Sequence, residues 1–150
     1  MQLKNKKRPV LLLFAALASF LLFSYSSPRG GDVVRIYLNN TLVMEQFMWN
    51  AKEVKSIDIH DAKPTDQLAV HYSHCGQLGT HRSITIKNDQ NQVLKKWQYA
   101  DKGKFLICQV KDISGLQKKA GTLRIFYSSQ ELPDGKWVAS VKPESNQVLP

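Results

Sequence analysis

A chain of 150 residues with 43% hydrophobic residues is long enough for one packed domain and too short for two. Its formal net charge of +9 does not by itself indicate nucleic acid, because Lys4, Lys6, Lys7 and Arg8 form an N-terminal cluster and a net +5 remains without them. That remainder is scattered, with lysine doublets at 95–96 and 118–119 and no basic stripe interleaved with aromatics, so no nucleic-acid partner is expected.

Residues 1–26 read as a signal peptide or an N-terminal membrane anchor. The basic cluster is followed by uncharged residues 10–23, by the small residues Ser24 and Ser26, and then by the helix breakers Pro28, Gly30 and Gly31. A bilayer core needs roughly 20 apolar residues as a helix, whereas a signal h-region needs about 7 to 15. Cleavage is therefore one expectation, and anchoring to the inner membrane by residues 10–25 is the other. In both cases the body is expected outside the cytoplasm, in the periplasm or at the cell surface. Residues 27–31 read as a linker, 32–142 as the domain and 143–150 as a flexible tail.

The body reads as strands in succession. Residues 33–38 are rich in β-branched and aromatic side chains, and Asn39-Asn40 turns the chain into 41–48. Strands are expected at 54–60, 68–75 and 83–87, where Ile84 and Ile86 alternate with Thr85 and Lys87. The turn 88–91 leads into a return strand at 93–99. The apolar run 105–110 is expected to be a central strand. Strands at 122–128 and 137–141 flank Pro133-Asp134-Gly135, which reads as a hairpin turn. A short helix capped by Asp112 and ending at Gly121 is expected to cross between strands, with Ile113, Leu116 and Ala120 on its apolar face. The expected fold is all-β: an antiparallel β-sandwich of about eight or nine short strands with one helical crossover, preceded by the signal or anchor helix. Its core should contain Val34, Ile36, Leu38, Ile57, Ile59, Val70, Ile84, Ile86, Ile107, Leu123, Ile125 and Val138.

Three groups of residues carry candidate chemistry. Cys75 and Cys108 are expected to form a disulfide, since thiols in oxidising compartments tend to pair. His60, His71, His74 and His81 cluster in sequence around Cys75, and imidazole with thiolate suits copper or zinc. Strand alternation limits that cluster, placing His71 and Cys75 on one face and His74 on the other. Trp49 stands where a strand gives way to a turn and is the best candidate for stacking against a ligand. No nucleophile elbow, phosphate-binding glycine loop or zinc-protease helix is present in the sequence, so the protein is not expected to be an enzyme. The expected function is a non-catalytic binding or structural module of the cell envelope, with an envelope protein or glycan as partner and no cofactor. The alternative is a periplasmic copper- or zinc-binding domain built on His60, His71, His74, Cys75 and His81.

Overall fold

The computed structural model of the protein describes residues 31–49 and 52–142. The segment 1–26, the linker up to residue 30 and the tail 143–150 lie outside the described residues. Among the described residues nine strands make two sheets. The first has the order β2 (Thr41–Phe47), β1 (Val33–Leu38), β4 (Gln67–Ser73) and β7 (Leu106–Gln109). The second runs β3 (Ser56–Ile57), β9 (Leu132–Val141), β8 (Leu123–Ser129), β5 (Ser83–Lys87) and β6 (Val93–Gln98). One helix, α1 (Val110–Ala120), links the sheets between β7 and β8. The described residues are therefore all-β with a single helical crossover. Among the described residues no helix is long and apolar enough to cross a membrane.

Period-two alternation explains why the sheets face one another. Val34 and Ile36 of β1, Leu68, Val70 and Tyr72 of β4, Ile84 and Ile86 of β5, and Leu123, Ile125 and Tyr127 of β8 all enter one shared core. Burying each such aliphatic side chain is worth about 1.5–3 kcal/mol relative to exposure. Asn39 and Asn40 both adopt positive φ, the conformation a two-residue hairpin turn demands and asparagine tolerates. In the turn after β5 the Asn88 side chain accepts from the amides of Gln90 and Gln92, which closes the β5–β6 hairpin.

Several local expectations are corrected. The third strand shrinks to Ser56–Ile57 and pairs parallel to β9, so the second sheet is not wholly antiparallel. The run 105–110 is not a central strand: β7 forms an edge of the first sheet, and its register sets Cys108 opposite Leu68. Leu106 and Cys108 therefore point inward, while Ile107 is 46% exposed and leaves the expected core. Leu38 only packs against the core's margin. Pro133-Asp134-Gly135 is not the hairpin turn. Gln130-Glu131 turns the chain, and residues 133–135 bulge from β9 between the pairs Ser129↔Leu132 and Tyr127↔Lys136. Proline lacks the N–H that regular pairing would require, and a bulge accommodates it.

The helix starts before Asp112. Gln109 occupies its N-cap without a side-chain cap bond, and Asp112 lies in the first turn, paired with Lys95 Nζ at 3.0 Å. Ile113 is buried and Leu116 and Ala120 pack against the core, so the expected face is the one used. Gly121, at positive φ, donates its N–H to the Gln117 carbonyl at 2.8 Å and ends the helix.

Candidate functional site

A cavity opens at one end of the two sheets. It lies where β4 runs into the loop 74–79 and where the β8–β9 turn comes alongside. Its volume is about 260 Å³, lined by Asp32, Tyr72, His74, Tyr127 and Glu131 with Leu78 and Leu132. The sequence builds it from strand ends. Tyr72 and Tyr127 are inward positions near the ends of β4 and β8, and their rings stack across the sheets with centroids 4.2 Å apart and planes at 17°.

Asp32 organises one wall. Its carboxylate accepts from the Tyr72 hydroxyl, from His74 Nδ1 and from Lys136 Nζ, the last at 3.0 Å. Burial raises the Asp32 pKa, but bonds from Tyr72, His74 and Lys136 outweigh it and hold the carboxyl below its ordinary range. Burial and the Asp32 bond in turn push the Tyr72 phenol upward, so it remains a donor. Three donors hold this carboxylate in place and favour its ionised form, which makes it a brace for the cleft. Glu131 closes the mouth. It accepts from the Thr80 amide at 3.0 Å and the Thr80 hydroxyl at 2.8 Å, and these bonds lower its pKa to about 2.

Tyr127 is the exception in this network. It is 1% exposed, yet its Oη has no hydrogen-bond partner among the described residues. The Ser129 hydroxyl and the Gly79 amide lie near enough to influence its ionisation, but neither meets it in bonding geometry. Burial is the main cause that raises its pKa, so Oη keeps its proton and is a donor without an acceptor. Arg82 adds positive charge from below the cleft. It is 2% exposed and donates from Nη2 to the Gly103 carbonyl at 2.8 Å, while its Nε has no partner among the described residues.

The histidines do not converge. Among the described residues no three His, Cys, Asp or Glu side chains come together as a metal site. His60 stands in an exposed turn with Nδ1 2.6 Å from Asp58 and Nε2 3.0 Å from Asp61. His71 projects from the outer face of the first sheet beside Phe105, and His74 binds Asp32 in the cleft. His81 takes a positive φ, with its amide donating to Asp101 at 2.6 Å. Proximity in sequence misleads because the residues fall on opposite strand faces and in separate turns.

The expected disulfide is not formed, with Cys75 exposed and Cys108 buried. Their strands are neighbours, as a bridge would need, but the register is wrong. Cys108 faces Leu68, and Cys75 lies seven residues farther along the chain, roughly 20 Å away at strand rise. Cys75 occupies the tight turn closed by the His74↔Gln77 bridge, at φ 51°. Burial pushes the Cys108 thiol up to about 11, and Tyr99 Oη contacts its sulfur at 3.1 Å. Trp49 is 69% exposed, and its indole folds over Gly31, where an added Cβ would lie 1.9 Å from Cδ1. It lines no part of the cleft.

Asp32, Tyr127, Glu131 and Lys136 were not singled out by sequence. One signal was present for Tyr127: an inward position among Leu123 and Ile125 gives a phenol an apolar setting, where its hydroxyl requires a partner. Comparison with protein-family models, with curated proteins and with solved structures finds no match to this chain.

Proposed function

We propose that the protein is an exported, cell-envelope β-sandwich acting as a non-catalytic binding module, with a compact acceptor-bearing ligand held in the Tyr72–Tyr127 cleft. The observation that carries this reading is the buried, protonated and unpartnered Tyr127 Oη at the cleft wall. An unmet donor in a buried site costs about 1–3 kcal/mol, and a ligand carbonyl, carboxylate or similar acceptor removes that cost on binding. Leu78 and Leu132 supply apolar walls, and the braced Asp32 keeps the geometry preorganised. Export rests on the sequence of residues 1–26, which also supplies a membrane contact if it is not cleaved. An envelope protein or a glycan is the natural source of such a ligand. The scattered histidines give the copper or zinc alternative no supporting observation.

The test is a titration of isotopically labelled protein with acetate, acetamide and inorganic phosphate, followed through the amides of Gly79 and Leu132. At least one acceptor should shift them saturably in the parent and not in Tyr127→Phe. Absence of any cleft response, or an equal response in the variant, overturns the reading.

A further inference from the structure

The outer face of the first sheet carries a second groove, separate from the end cleft. β1, β4 and β7 place Tyr37, Ala69 and Ile107 directly opposite one another in a single cross-strand row. Ala69 is the small residue in the middle of that row, so it forms a floor between larger walls. Phe105 enters just before β7 and meets Tyr37 edge-on, with centroids 5.4 Å apart and planes at 83°. The groove holds about 340 Å³. Phe105 is 45% exposed, so the walls present apolar surface to solvent.

The next row along the sheet is made of amides. Asn39 sits in the β1–β2 turn and is tied to Gln67 both ways: the Asn39 amide donates to the Gln67 carbonyl, and the Gln67 amide donates to Asn39 Oδ1, each at 3.0 Å. The Asn40 and Gln67 side chains complete the rim. Among the described residues no charged side chain lines this groove. A patch that attracted anionic lipid or acidic protein would carry lysine or arginine here.

We infer that this groove is a binding subsite for a neutral oligosaccharide, one pyranose ring seated on Ala69 against the wall that Tyr37 and Phe105 form together. A pyranose presents a face of C–H groups, which suits an aromatic wall, and a rim of hydroxyls, each both donor and acceptor. The Asn40 and Gln67 side chains match that rim because an amide offers both functions at once, while Asn39 is held by the Gln67 amide and shapes the turn. A charged ligand finds no counter-charge, and a purely apolar one leaves the amide row unused. This inference does not depend on the end cleft. It moves the stacking platform from Trp49, whose ring covers Gly31, to Tyr37 and Phe105.

The experiment titrates the full chain with cellotetraose, maltotetraose, chitotetraose and mannotetraose, reading the Ala69 methyl and Phe105 ring signals by NMR. Sedimentation at several protein concentrations is run alongside. At least one sugar should bind with a Kd of about 1 mM or tighter. Binding should weaken at least about tenfold in Tyr37→Ala, Phe105→Ala and Ala69→Leu, with folded spectra retained. Ala69→Leu is informative by itself, because it fills the floor of a solvent-facing groove without emptying the core. The inference is overturned if none of the four sugars shifts these signals at about 10 mM, or if the three substitutions leave affinity unchanged. It is equally overturned if the groove signals move only with protein concentration, since a second copy would then be the occupant.

Discussion

Tyr127→Phe removes one oxygen atom and separates two accounts of the cleft. The ring remains stacked on Tyr72, so packing between the sheets is unchanged. An ordinary buried tyrosine hydroxyl with a partner contributes about 0.5–1.5 kcal/mol, and its loss destabilises the fold. Here Oη is buried without a partner, and the unmet desolvation costs about 1–3 kcal/mol. The sign therefore reverses, and the variant should be more stable than the parent by about 1 kcal/mol. For a domain of this size that raises Tm by roughly 4 °C, and it moves the urea midpoint upward at unchanged m. Tyr72→Phe is the matched control. It deletes a bond to the Asp32 carboxylate, so it should destabilise by about 1.5–3 kcal/mol. The reasoning is refuted if Tyr127→Phe lowers Tm, because Oη would then be satisfied in solution. It would no longer mark a site that awaits an acceptor. A stabilising change at a functional wall is expected when binding geometry is kept at some cost to stability.

The remaining predictions concern core, thiols and pH. Ile125→Ala should cost about 2–5 kcal/mol in chemical unfolding, whereas Ile107→Ala should cost about 0.5 kcal/mol or less, since only the first is buried. Similar costs at both sites would mean the β7 register is wrong. A thiol reagent should label Cys75 in the native protein and Cys108 only after denaturation, and reductant should leave Tm unchanged; protection of both thiols until reduction would instead establish the bridge. Burial, helped by the positive charges of Arg35, Lys104 and Arg82, holds the His71 pKa below its ordinary value. The unfolded chain therefore binds the proton more readily, so His71 costs nothing above about pH 6.5 and erodes stability as pH falls below it. His71→Gln should flatten the stability slope between about pH 7 and 5, and an unchanged slope would remove His71 as its source. Asp32 acts lower down, its contribution being full above about pH 4 and lost as pH falls through its depressed pKa.

Local chemistry was enough to read much of this fold. The alternation in β1, β5 and β8 is a property of consecutive residues, and so are the Asn39-Asn40 turn and the Ile113–Leu116–Ala120 face of α1. Each is set by backbone periodicity and by which side chains tolerate a left-handed turn, and neither depends on the rest of the chain. Register and pairing partners are different, because they depend on which distant strands meet. A one-residue shift exchanges the faces of a strand, so Ile107 could be placed outward and Leu106 inward only once β7 was set against β4. The same register holds Cys75 and Cys108 at opposite ends of adjacent strands. The bulge of 133–135 transfers the hairpin turn to Gln130-Glu131, which brings Glu131 to the cleft mouth. The cleft itself joins Asp32, Tyr72, Tyr127 and Lys136, residues up to 104 positions apart in the chain. No local pattern links them; they meet because two sheets of fixed register close on each other, and that closure strands the Tyr127 hydroxyl.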